Sequence, residues 1–116
     1  MEKEAGTTEQ DEAAWKEVMA FFEKRFGKKP DLQSIIFLVG HRELGRHQVK
    51  FSKEQKQDLM HVGVCTLLSK AGYYAYTGHD QEGWPHFEYN REMPKLSATE
   101  QELLLKKMII QYIQSL

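Results

Sequence analysis

A chain of 116 residues, 41% hydrophobic and 28% charged, has the make-up of an ordinary soluble globular protein and is long enough to bury a core without disulfide or metal staples. One cysteine excludes an internal disulfide, and the longest apolar run, Ile35 to Val39, is far too short to span a bilayer. The net charge of −1 hides an asymmetry: residues 28 to 70 carry +4, against −3 for residues 1 to 27 and −2 for residues 71 to 116.

Residues 1 to 6 lack periodicity and are expected to form a disordered leader to one helical domain over 7 to 116. The acidic stretch MEKEAGTTEQDEAAW has neither the basic start nor the apolar run of a secretion signal, so a cytoplasmic location is expected. Thr7 and Gln10 offer a capping box for a first helix through Phe26, with Trp15, Val18, Met19, Phe22 and Phe26 at helical spacing. Gly27 supplies a stop, Lys28 and Lys29 complement the carbonyl end, and Pro30 prevents continuation.

A second helix is predicted from Pro30 or Asp31 to Gly40 or Gly45, burying Leu32, Ile35, Ile36 and Val39. The run IIFLVG also suits a buried strand, but its flanking residues favour the helix. RHQVKF, residues 46 to 51, alternates polar and apolar side chains and reads as an extended connector able to touch a later hairpin.

Ser52 and Gln55 form a second capping box and open the longest helix. Met60, Val64, Leu67, Leu68 and Ala71 recur at spacings of three and four and are expected to share one broad face, with His61 and Cys65 along the margin; Leu59 and Val62 are expected to be buried as well, and Cys65 suits a small buried hydrophobe. Gly72 ends it, and the amphipathic terminal helices are expected to wrap it. YYAYTG and WPHFEYN, separated by HDQEG, then predict a β-hairpin at about 73 to 90 in which Gly83 takes positive φ and Pro85 marks an edge. Ser97 with Glu100 caps a last helix carrying Leu105, Ile109, Tyr112, Ile113 and Leu116. The expected fold is mainly α, with four helices and one β-hairpin between the third and the fourth.

The hairpin holds Tyr73, Tyr74, Tyr76, Trp84, Phe87 and Tyr89, more rings than one face of a ribbon can bury. Tyr76, Trp84, Pro85 and His86 are therefore the candidate partner-binding residues of a non-enzymatic interaction module whose partner is another protein or a second copy. In the competing arrangement the hairpin lies flat and Trp84 plugs the core. Arg42, Arg46, Lys50, Lys53 and Lys56, with only Glu43 and Glu54 as acids among them, support nucleic-acid binding as the alternative. An unrecognised small enzyme is a third reading.

His61 and Cys65 stand four apart on a helix, yet His41, Glu43, His47, His79, Asp80 and His86 complete no zinc or calcium spacing, so neither metal nor cofactor is expected. Asp80 and Glu82 beside His79 and His86 suggest an acid–base pair, but these residues are equally at home in an exposed turn. No nucleophile elbow, Walker loop, dinucleotide fingerprint or HExxH is present, and no catalytic residue is assigned.

The order helix, turn, helix, hairpin over residues 31 to 90, with LLSKAGYYAYTGHDQEGWPHFEYN as helix end and wing, resembles the arrangement of winged-helix DNA-binding domains. Against it stand an apolar second half of the long helix and an acidic hairpin tip. ELGRHQVKFSKEQKQDLMHVGVCTLLSKAGYY with GHDQEGWPHFEYN also resembles a family of short bacterial proteins without assigned activity, over most of residues 20 to 116. That resemblance implies a bacterial cytosolic origin and transfers no catalytic or binding residue.

Overall fold

Punctuation by glycine, proline and capping serines divides the chain where the sequence suggests. A computed structural model describes residues 9–116. The expected leader, and Thr7 of the first capping box, lie outside the described residues. The elements are α1 (Glu9–Phe26), α2 (Leu32–Glu43), α3 (Lys53–Lys70), β1 (Tyr74–His79), β2 (Pro85–Tyr89) and α4 (Ala98–Gln114). The fold is mainly α, with a two-stranded antiparallel hairpin between α3 and α4. By contacts it divides into two compact units, one built on the terminal helices α1 and α4 and the other on residues 32–93.

In the terminal unit α1 packs against α4. Val18 and Phe22 of α1 are buried, while Trp15 and Met19 are half-buried. Phe26, expected on the core face, is 56% exposed: it is the last helical residue, and its stacking on Phe22 at 6.1 Å covers one side of the ring only. The Ser97 and Glu100 capping box forms as expected. Met108, Ile109, Ile110 and Tyr112 are the buried residues of α4. Leu105 and Ile113 are half-buried, and Leu116 lies beyond the helix end and is exposed. Lys106 sits 5.3 Å above the Trp15 ring and 3.2 Å from Glu102, so one ammonium serves both a cation–π contact and an ion pair.

In the second unit IIFLVG is helical, burying Ile35, Ile36 and Val39 on α2. Gly40 does not stop this helix, which runs on to Glu43, because Gly40 has a different task. A Cβ there would overlap the Leu59 carbonyl oxygen and lie 2.9 Å from its carbon; one on Gly63 would overlap the Ile36 carbonyl oxygen and lie 3.1 Å from its carbon. Two glycines thus let α2 and α3 cross with backbone against backbone.

The Ser52 and Gln55 capping box opens α3 as expected. Its core matches expectation at Leu59, Val62, Leu67 and Leu68 and departs from it at Met60 and Val64. Leu59, Val62, Gly63, Cys65, Leu67 and Leu68 are buried, whereas Met60 and Val64 are half-buried. The buried residues spread around the helix because α2 covers one side and β1 another, so no single stripe describes them. Cys65 is 1% exposed, the small buried hydrophobe that its apolar neighbours suit. Gly72, at φ +87°, ends the helix and turns the chain into the hairpin.

Candidate functional site

Register decides what the hairpin displays. Tyr74 pairs with Tyr89, Ala75 with Glu88 and Tyr76 with Phe87, after which a bulge at Thr77 shifts the pairing to Gly78 with His86 and His79 with Pro85. Alternation therefore puts Tyr74, Tyr76, Phe87 and Tyr89 on one face. Their rings meet across the strands edge to face, at 5.6 Å for Tyr74 with Tyr89 and 5.9 Å for Tyr76 with Phe87. Tyr74 and Phe87 are half-buried; Tyr76 and Tyr89 are 55% and 62% exposed. Burial, with smaller contributions from Cys65 and Tyr89, raises the Tyr74 phenol above its ordinary pKa.

The predicted patch of Tyr76, Trp84, Pro85 and His86 is thereby divided. Tyr76 is on the aromatic face, His86 is exposed but alternates to the opposite face, Trp84 is half-buried, and Pro85 is buried and so lies beneath the surface. Tyr89 takes the place expected for Trp84. Its signal was present in the alternation of WPHFEYN, but assigning a face requires the turn length and the bulge, which the sequence leaves open.

Side chains fix the hairpin tip. One Asp80 oxygen accepts the N–H groups of Glu82 and Trp84, both at 2.9 Å, and the other accepts from His86 Nε2 at 2.9 Å. The bond from His86, then those from the Trp84 and Glu82 amides, hold the Asp80 carboxyl below its ordinary pKa. A depressed folded-state pKa contributes stability above the unfolded value, and that stability is lost as pH falls through the folded one. Acidification into this range is expected to loosen the tip in the wild type, read as a change in Trp84 emission; Asp80→Ala is expected to abolish this acid transition, and an unchanged transition would show that Asp80 is not its source.

The tip is also tied to the end of α2. The Gly45 amide donates to the Gly83 carbonyl at 2.6 Å, and His79 Nε2 bonds the Glu43 carbonyl at 3.0 Å. A carbonyl only accepts, so Nε2 carries the proton; in the neutral ring Nδ1 then accepts from the Tyr76 hydroxyl. Asp80, His79 and His86 are thus engaged in shaping the turn rather than aimed at a common reacting atom. His61 Nε2 lies 3.5 Å from Cys65 Sγ, and burial pushes that thiol up. Among the described residues no group of three or more His, Cys, Asp or Glu is placed to hold a metal ion.

The five cations of the alternative reading do not act alike. Arg42 lies 3.3 Å from Glu43, and Arg46 donates from two nitrogens to the Gln48 side-chain oxygen, at 2.9 and 2.5 Å. Lys53 is exposed at the start of α3. Lys50 and Lys56 border an open groove of about 510 Å³ whose wall includes Phe37, His41 and Phe51. His41 Nε2 bonds the Gln48 carbonyl at 3.2 Å, and its ring meets that of Phe51 edge-on at 5.5 Å. The helix, turn, helix, hairpin order is present, but Cys65, Leu67 and Leu68 bury the second half of α3, where a recognition helix would present side chains to a groove.

A second cavity, of about 310 Å³, lies between α1 and α4 and is lined by Trp15, Leu103 and Ile110 together with Asp11, Glu12, Lys16, Lys106 and Lys107. No described helix is long and apolar enough to cross a membrane. No protein-family model matches the chain, and comparisons with curated proteins and with solved structures return no match.

Proposed function

We propose that the protein is a non-enzymatic interaction module that docks a protein partner on the aromatic face of its hairpin. The exposure of Tyr76 and Tyr89, side by side with half-buried Tyr74 and Phe87, carries this reading. Large rings gain little for folding when left in water, whereas aromatic side chains dominate the energetics of protein contacts. The ribbon is held at its tip by the Gly45 and His79 bonds and at its base by Asn90, whose side chain donates to the Gly72 carbonyl at 2.8 Å. A surface fixed before binding loses less entropy on docking.

Nucleic-acid binding is the less favoured reading, because two of its five cations already have side-chain partners and Cys65, Leu67 and Leu68 in the second half of α3 are buried. The double variant Tyr76→Ser/Tyr89→Ser tests the proposal. It is expected to stay folded with a lowered melting temperature, since each change removes one edge-to-face ring pair worth about 0.5 to 1.5 kcal/mol, and to lose capture of the partner that wild-type bait retains from native extract. A partner held equally by both baits would refute the reading.

A further inference from the structure

We infer that two copies of this chain associate edge to edge through β2, antiparallel and centred on Phe87. The inference rests on the hairpin being the interaction surface and names a second copy as an occupant. In a two-stranded sheet each strand is an edge with unused backbone groups. The Asn90 amide donates to the Tyr73 carbonyl at 3.0 Å, which, with the observed register, makes Ala75 and Glu88 the pair whose backbone groups face each other. The N–H and C=O groups of Tyr74, Tyr76, Phe87 and Tyr89 therefore point outward. α3 packs chiefly on β1, whereas His86, Glu88 and Tyr89 of β2 are exposed. β2 is the open edge.

A second β2 is the strand whose pattern suits it. Only the antiparallel register centred on Phe87 overlaps the whole of Pro85–Tyr89. It sets Phe87 opposite Phe87, exchanging two N–H to C=O bonds, and sets Tyr89 of each copy across from Pro85 of the other. Proline has no amide to return and Pro85 is buried, so the backbone bonds of this pairing are those of Phe87. The same register puts Glu88 directly across from the second copy's His86, whose Nε2 is engaged by Asp80. Moving the centre to Glu88 would oppose two carboxylates and shorten the overlap to residues 87 to 89. The centred pairing also turns an isolated two-stranded ribbon into a four-stranded sheet, the size at which sheets stand alone, and joins the two aromatic faces into one.

Sedimentation velocity of the full chain over a wide concentration range, together with amide hydrogen exchange, tests this. The wild type is expected to pass from monomer to dimer, with the Phe87 amide gaining protection as it does so and the Glu88 amide protected in both states. Phe87→Pro removes an outward amide that the hairpin itself does not use and is expected to leave a monomer. Glu88→Lys, which keeps every backbone donor, is expected to weaken the dimer about tenfold and controls for any loss of hairpin structure in the proline variant. A wild type that is monomeric throughout, or a dimer indifferent to Glu88→Lys and without added protection at Phe87, would overturn the inference. A monomer that still captures a partner in a manner dependent on Tyr76 and Tyr89 would overturn it while leaving the proposed function standing.

Discussion

Gly63→Ala is expected to cost about 3 kcal/mol or more of unfolding free energy, at the upper end of what overpacking causes. The usual gain in helix propensity from glycine to alanine, about 1 kcal/mol, has the opposite sign and is outweighed. An added methyl on Gly63 meets the Ile36 backbone carbonyl, which no rotamer change moves aside, so α2 and α3 must separate along their whole crossing. Gly40→Ala meets the Leu59 carbonyl from the other helix with the same consequence. Thermal unfolding is expected to show a fall of roughly 10 to 20 °C for each. Because both substitutions disturb one crossing, the double variant is expected to cost less than their sum. A rise in melting temperature for either would mean that propensity, not approach, governs these positions.

The second large effect separates two neighbouring residues. Leu59→Ala is expected to cost about 2 to 5 kcal/mol, since Leu59 is 0% exposed beneath the crossing and its removal leaves a cavity with rigid backbone around it. Met60→Ala, one position on and half-buried, is expected to cost about 1 kcal/mol, because solvent already reaches part of the site and thioether side chains adapt. Chemical denaturation of the two variants reads the orientation of α3 directly. Equal losses would return Met60 to the core face on which helical spacing alone places it.

Helix ends were legible in this sequence because they are set by local chemistry. Ser52 with Gln55 and Ser97 with Glu100 satisfy amides within one turn, and Gly27 and Gly72 each take positive φ where the chain leaves a helix. Burial was less legible. Gly40 carries the same signal as a helix stop but serves a contact with α3, and a packing role for glycine is visible only when the partner helix is in place. Helical spacing from Val64 and Leu67 places Met60 on the core face, yet a helix covered on several sides buries residues that no single spacing selects.

The candidate site was legible as a stretch but not residue by residue. Aromatic content marked the hairpin, whereas the bulge at Thr77 and the turn that draws Trp84 toward Asp80 decided which rings face outward. Pro85 lacks the amide a ladder uses, which marks an edge, yet it is buried, because an edge residue can still be covered on its side-chain face.

Tyrosine nitration compared between dilute purified protein and native extract measures the central claim most directly. The account predicts ready modification of Tyr76 and Tyr89 in the purified protein, slow modification of buried Tyr112 in both settings, and protection of Tyr76 and Tyr89 in the extract. Equal modification of Tyr76 and Tyr89 in the two settings would mean that this face meets no partner, and would contradict the account.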